Sequence, residues 1–291
     1  MNKLFGLLLM VVASLAQAAP DALVQAVQMP AWLQRGASTE PLRIGTALRN
    51  DDKLITGANA RVYLQTADGS TVKLGENATL MLGDLSQHGA EQPVFSAVLN
   101  VLKGAFRFTT ASVAKLKGRD ITLKVAGATI GIRGTDVWGK DGQDDKGVEM
   151  GVVCLIEGKI AVNGADHQDF VMDQPLSFYK MPKDAPPLAV APVDPAQLKK
   201  WALETEIAQP AAQIGGAWKV TLLTATDQAG ALAAYDQWRA AGYDVRLQPI
   251  AHEGGWTYTL RLVQLPNRAE AERLAARLKG TLGAENPSAS R

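Results

Sequence analysis

The sequence has a single cysteine and three histidines, and each shortage excludes a class of protein. One cysteine cannot form an internal disulfide, so the chain is not a disulfide-stapled domain. His88, His167 and His252 lie far apart, and no cysteine or histidine pair has the spacing of a zinc site. The nucleophile motif G-x-S-x-G is also missing. We therefore expect that this protein is not an enzyme and that it binds no metal or cofactor.

Long apolar runs are missing too, apart from one at the N-terminus. Residues 4–13, LFGLLLMVVA, follow a short positive start and precede the small-residue pattern Ala16-Gln17-Ala18. A membrane-spanning helix needs about 20 apolar residues, and this run has about half that. We expect residues 1–18 to be a cleaved signal peptide, the remaining chain to have no membrane span, and its location to be the periplasm.

Neither sign of charge is in excess. The chain has 30 Lys and Arg against 29 Asp and Glu, and loss of Lys3 with the signal peptide balances them. This balance predicts no bulk attraction to nucleic acid or to an anionic membrane surface. The length of the remaining chain corresponds to about two domains.

Residues 40–180 have an apolar period of two, which is typical of strands. The stretch 60–82, ARVYLQTADGSTVKLGENATLML, predicts three strands separated by two turns. Asp68-Gly69 is a strong hairpin signal, because the turn needs positive φ. Short strands separated by Gly, Asn and Asp continue to about residue 163, so we predict an all-β unit, either a sandwich or a solenoid-like stack.

The glycine-rich stretch GATIGIRGTDVWGK at residues 127–140 lacks the spacing of a phosphate loop. Its glycines fall in or between short strands, where they permit sharp corners and close backbone approach. Arg133 and Asp136 could pair locally, and we favour a structural corner over a catalytic site. Cys154 shares a strand face with Val152 and Ile156 and is expected to be buried.

Four motifs in this region resemble the FecR-type periplasmic domain, which we place at residues 28–183. The matching residues are Asp52, Thr56, Gly57, Asp68, Gly69, Ser70, Arg133, Gly134, Thr135, Glu157 and Gly158. Asp51 replaces the glycine that usually opens the first motif. The resemblance implies a twisted, solenoid-like β fold that is used for sensing and protein contacts rather than catalysis.

A proline-rich segment at residues 184–215 is expected to be a linker that contains one short helix. The helix is predicted in residues 194–207, with Asp194 as the N-cap and Pro195 as the first helical residue. Trp201 is expected to dock this helix on the β domain.

An internal repeat follows at residues 216–283, in which a strand and a helix occur twice with an extra strand between. Strand residues recur 40 positions later: Trp218, Val220 and Leu222 as Tyr258, Leu260 and Leu262. Asp227 and Asn267 are the expected helix N-caps. The pattern predicts a split β-α-β-β-α domain, and we expect residues 284–291 to be a disordered tail.

This unit resembles a SPOR domain through the strings WKVTLL, AGYDVRL and YTLRLVQL. The resemblance implies binding of peptidoglycan glycan strands that lack stem peptides. Thr221, Leu223 and Val263 depart from the family pattern, so we expect such binding to be weak. Strand alternation predicts a polar sheet face, and the candidate glycan-binding residues are Lys219, Thr221, Arg246, Gln248, Thr259 and Arg261. A merely solvated sheet face would show the same alternation.

Two functions from different classes remain open. In the first, the FecR-type domain contacts a protein or envelope ligand while the SPOR-like domain binds peptidoglycan glycan. In the second, the chain is a periplasmic component of an envelope signalling or protein-interaction system without peptidoglycan binding. An enzyme acting on wall material would need a placed carboxylate pair or a metal, and Glu157 and Asp136 are candidates only because they lie near motifs.

Overall fold

The computed structural model describes residues 20–89, 94–111, 118–144 and 146–291. The expected signal peptide lies outside the described residues. Within these ranges the chain is mainly β, with three helices and a C-terminal α/β region, which confirms the predicted fold class. No helix in the described ranges is long and apolar enough to cross a membrane.

In the described part of the chain, two nine-stranded sheets share one long strand, β8, and form the N-terminal part of the fold. The first sheet has the order β17 (Ala212–Gln213), β1 (Ala22–Gln28), β5 (Arg61–Thr66), β6 (Thr71–Leu74), β8 (Val94–Thr109), β11 (Asp136–Gln143), β12 (Glu149–Glu157), β15 (Ser177–Pro182) and β16 (Ala191–Pro192). The second has the order β3 (Ser38–Pro41), β2 (Ala31–Arg35), β4 (Lys53–Thr56), β7 (Thr79–His88), β8, β9 (Gly118–Val125), β10 (Ala128–Ile132), β13 (Ile160–Asn163) and β14 (Asp169–Met172).

Strand β8 passes from the second sheet to the first at Gly104. Residues before it pair with β7 and β9, and residues after it pair with β6 and β11. Gly104 has a φ of 84°, and a Cβ there would lie 2.5 Å from the Cα of Ala78. Only glycine fits this crossing, because a side chain would be both strained and blocked.

The two sheets pack face to face around one hydrophobic core. Alternate residues of each strand point inward, as the period of two predicted. The fully buried side chains include Leu54, Leu64, Leu74, Leu80, Phe106, Phe108 and Ile121. The hairpin at Asp68-Gly69 is present between β5 and β6, with Gly69 at a φ of 84°. The N-terminal unit begins earlier than expected, because β1 starts at Ala22 rather than near residue 28.

The segment between the two units lies across the outer face of the first sheet. Helix α1 (Pro195–Leu203) starts at the predicted N-cap Asp194, and it ends before the predicted residue 207. Trp201 stacks on Trp138 of β11, with ring centroids 4.7 Å apart, so it docks the helix as predicted. Cys154 is buried beside these rings, and burial raises the pKa of its thiol to about 12. A thiol with such a pKa stays protonated at neutral pH.

An ionic contact fastens the end of the same segment. Glu206 accepts hydrogen bonds from Lys73 Nζ at 2.6 Å and from Tyr63 Oη at 2.7 Å. Burial raises the pKa of Glu206, but these hydrogen bonds outweigh it and hold the pKa below its usual range. Strand β17 then pairs with β1, so residues 193–213 form an ordered strap over the first sheet.

A separate four-stranded sheet forms the C-terminal unit. Its order is β19 (Val245–His252), β20 (Gly255–Leu265), β18 (Trp218–Ala225) and β21 (Ser288–Ser290), all antiparallel. Helices α2 (Gln228–Ala240) and α3 (Arg268–Leu278) cover one face, and Asp227 and Asn267 cap them as predicted. Val220, Leu260 and Leu262 are buried under these helices.

Strand β21 corrects the expectation of a disordered tail at residues 284–291. It pairs with β18, so the unit is β-α-β-β-α-β rather than β-α-β-β-α. The sequence ENPSASR lacks the β-branched and aromatic residues that identify strands. Its pairing depends on the free edge of β18 rather than on local propensity.

The C-terminal unit touches the second sheet at the end of α2 and at the turn that follows it. The amide of Ala31 donates to the carbonyl of Gly242 at 3.0 Å, and Trp32 Nε1 donates to the carbonyl of Ala240 at 3.1 Å. Arg43 pairs with Asp244 at 3.2 Å beside them. The turn between α2 and β19 is therefore packed on β2 and β3.

Candidate functional site

The four-stranded sheet of the C-terminal unit has one face without helices, which we call the open face. Register places the six predicted site residues on it together, because residues paired across strands share a face. Thr221 pairs with Arg261, and Arg261 pairs with Arg246. Thr259 pairs with Gln248 on the same face, and Lys219 lies two residues before Thr221.

A polar row crosses all four strands of the open face. It runs from Arg246 through Arg261 and Thr221 to Ser288. Sequence reasoning missed Ser288 because β21 was not predicted. The row joins two guanidinium groups and two hydroxyl groups, so the face offers hydrogen-bond donors and acceptors at the spacing of neighbouring strands, about 4.8 Å.

Local contacts hold the two arginines of this row. Arg246 Nη2 lies 3.3 Å from Asp244 Oδ2, and Arg261 Nη1 donates to Gln248 Oε1. Burial raises the pKa of Asp244, and the charges of Arg246 and Arg43 oppose that shift. Within the described part of the chain, the buried Nε of Arg261 has no hydrogen-bond partner.

The six residues differ in exposure. Arg246 and Gln248 are exposed, while Lys219, Thr221 and Arg261 are half-buried. Thr259 is only 5% exposed, so its hydroxyl has little access to a ligand. Ile250, which alternates with Arg246 and Gln248 along β19, adds an apolar side chain that is 40% exposed. Sequence reasoning missed Ile250, although the alternation along β19 points to it.

In the N-terminal unit, the motif residues hold corners of the fold. The buried carboxylate of Asp52 accepts two hydrogen bonds from Arg35, both at 2.7 Å, and one from the amide of Arg49. Thr56 Oγ1 donates to the carbonyl of Gly75 at 2.7 Å, and Asp68 accepts from Ser70 Oγ at 2.7 Å. The polar groups of these side chains are hydrogen-bonded within the domain, so they are not free to bind a ligand.

The corner at residues 134–136 is structural as well. Gly134 has a φ of 74°, and a Cβ on Gly158 would lie 2.7 Å from its carbonyl oxygen, so the two motifs pack on each other. The suggested partner of Asp136, Arg133, is replaced by Arg107, which binds that carboxylate at 2.6 and 2.9 Å. Arg133 is exposed. Asp136 is thus held in an ion pair with Arg107. No group of three metal-ligating side chains occurs in the described ranges.

Comparison with known proteins matches two family models in this chain. The model described as FecR protein matches residues 52–161, and the model described as SPOR domain matches residues 215–290. The second match includes β21, which our sequence-based boundary at residue 283 left out. No curated protein matches the chain.

Two crystal structures of a candidate anti-sigma factor from Parabacteroides distasonis ATCC 8503 are similar to this chain. Each has 11% identity and a TM-score of 0.40; the matches cover 78% of this chain and 90% or 89% of those chains. A TM-score this low does not define the fold. FecR and SPOR domains are typical of envelope proteins. The chain carries a FecR domain followed by a SPOR domain, as its motifs predicted.

Proposed function

We propose that this protein is a non-enzymatic periplasmic binding protein whose SPOR domain binds peptidoglycan glycan through the open face. SPOR domains bind peptidoglycan, and the row from Arg246 to Ser288 is the observation that supports the same role here. Sugar hydroxyls and acetamido groups both donate and accept hydrogen bonds, as this row does. The FecR domain contacts a protein or another envelope ligand.

The proposal includes weak binding. Thr259 is almost buried, and Arg261 already donates to Gln248, so part of the face is committed before a ligand arrives. Each hydrogen bond to a ligand contributes about 0.5–1.5 kcal/mol net. A few such bonds without an aromatic platform give modest affinity.

The test is co-sedimentation with purified sacculi that an amidase has stripped of stem peptides. Thr221→Ala combined with Arg261→Ala removes two side chains that face each other in the row. Two lost hydrogen bonds predict binding that is roughly tenfold weaker or more. The matched control is Thr226→Ala with Arg268→Ala, which removes the same two residue types from exposed positions away from the open face.

The experiment has three distinct outcomes. Loss of binding in the first variant but not in the control supports the open face as the site. Equal binding in both variants means that glycan does not bind there. Failure of the unmodified chain to sediment favours the alternative, a protein-contact module in an envelope signalling system.

Export is also part of the proposal. A signal peptide ending at Ala18 requires that the periplasmic chain begin at Ala19. Mass spectrometry of the periplasmic fraction measures this end directly. Recovery of the intact N-terminus in membranes contradicts cleavage.

A further inference from the structure

A cleft of about 930 Å³ lies on the outer face of the second sheet, across β9, β10, β13 and β14. Ligand pockets in proteins are commonly about 300–1,000 Å³. The cleft belongs to the FecR unit and shares no residue with the open face of the SPOR unit. Its residues are not used by the proposed glycan binding.

The floor of the cleft is formed by small residues in register. Gly131 of β10 pairs with Ala161 of β13 on one side and with Thr122 of β9 on the other. A Cβ on Gly131 would meet its nearest neighbour, the Cβ of Ala161, at 3.9 Å, and its φ is not in the left-handed region. The fold therefore does not require glycine here.

A glycine inside a strand weakens the strand and often marks the close approach of a ligand. Since neither sterics nor backbone conformation explains Gly131, we take it as the residue that keeps the floor open. Val171 stands beside this floor on β14, the last strand of the sheet, and is 51% exposed. It offers an apolar wall to a small alkyl group.

Cationic side chains stand at one end of the cleft. Arg133 and Lys159 lie two residues from Gly131 and Ala161 on neighbouring strands, so they share the cleft's face. Both are exposed, and neither has an ion pair or side-chain hydrogen bond within the described ranges. Among the described residues that line the cleft, Arg133 and Lys159 face a single carboxylate, that of Asp120. This surplus favours an anionic group, and guanidinium suits a carboxylate.

We propose that this cleft binds the carboxylate end of a short peptide of alanine-sized residues. The carboxylate lies between Arg133 and Lys159, and a methyl group rests on Gly131 and Ala161 against Val171. We assign the D-alanine ends of cell-wall peptides as the source, and this choice of source rests on the proposed wall location. Protein C-termini carry the same group in the L configuration.

The experiment uses the chain from Ala19 labelled with ¹⁵N, with acetyl-D-Ala-D-Ala as the probe. We expect saturable shifts of the amide resonances of Gly131 and Ala161. The C-terminal amide of the same dipeptide should bind at least tenfold more weakly, because it lacks the charge. No saturable shift up to about 10 mM, a range that covers weak ligands, or equal binding of the amide, overturns the proposal. Equal or tighter binding of acetyl-L-Ala-L-Ala overturns the wall assignment.

Gly131→Val is expected to abolish binding, because the valine side chain fills the floor while suiting a strand. The control is Thr129→Val, which lies on the same strand and the same face as Gly131, two residues earlier. This variant should bind the dipeptide as the unmodified chain does. Arg133→Gln with Lys159→Gln changes only exposed side chains and should weaken binding at least tenfold. Unchanged affinity in this charge variant overturns the proposal even if Gly131→Val fails to fold.

The glycan proposal and this one fail separately. The dipeptide probes contain no sugar, so loss of sacculus binding does not predict their behaviour. Thr221→Ala with Arg261→Ala should leave dipeptide binding unchanged. A loss of dipeptide binding in that variant contradicts a site on the FecR unit.

Discussion

Truncating Trp201 tests whether the strap is an integral part of the fold. Trp201 is 8% exposed, and its ring stacks on that of Trp138 at an interplanar angle of 6°. It also makes an edge-to-face contact with Phe178, with ring centroids 5.7 Å apart. Trp201→Ala removes both ring contacts and uncovers Trp138, which is fully buried. Replacing a buried Phe or Trp by alanine costs about 3–5 kcal/mol.

We therefore expect Trp201→Ala to lower the free energy of unfolding of the FecR unit by about 3–5 kcal/mol. Urea unfolding followed by near-UV circular dichroism measures this, since the signal reports tryptophan packing. Trp256→Ala is the matched control, because Trp256 is 53% exposed and its loss should change stability by less than about 0.5 kcal/mol. A loss below about 1 kcal/mol for Trp201→Ala, or one equal to the control, contradicts a stabilising role for the docked Trp201 ring.

Two further predictions concern the ionic contact of the strap and the glycine corner. Folding lowers the pKa of Glu206, so the ionised carboxylate stabilises the folded chain. This stabilisation is fully present above the pKa of an unfolded glutamate, about 4.3, and it is lost as pH falls through the lower pKa of the folded state. Glu206→Gln should therefore be less stable than the unmodified chain at neutral pH, and urea unfolding at several pH values should show the difference shrinking toward about pH 3; a pH-independent difference contradicts this. Gly134→Ala should lower stability by about 1–2 kcal/mol, since φ is 74° there, and an unchanged urea midpoint contradicts a left-handed corner.

Features with local chemistry were predictable from the sequence. The Asp68-Gly69 turn, the helix start at Asp194 and the caps at Asp227 and Asn267 each depend on residues within three or four positions. The docking of Trp201 was also predicted, because a large aromatic residue in a polar helix needs an apolar partner.

Long-range features were not predictable. Glu206 binds Tyr63 and Lys73, which lie more than 130 residues earlier, and no local pattern connects them. The crossing of β8 at Gly104 depends on the approach of Ala78, which only the assembled sheets define. The sequence of the strap predicts a linker, because proline content indicates local chain stiffness and carries no information on tertiary contacts.

The candidate site was partly predictable for the same reason. Strand alternation correctly grouped Thr221 and Arg261 on neighbouring strands, where the structure pairs them directly. It did not reveal that Thr259 is almost buried, nor that Ser288 joins the row, because both depend on neighbouring strands.

The proposed function requires that the SPOR domain bind glycan that lacks stem peptides. The measurement is co-sedimentation of the chain from Ala19 with sacculi before and after amidase treatment, in the Arg133→Gln, Lys159→Gln variant, so that the proposed carboxylate site does not contribute. We expect weak sedimentation that increases when the stem peptides are removed. No sedimentation with either preparation contradicts wall binding by this protein.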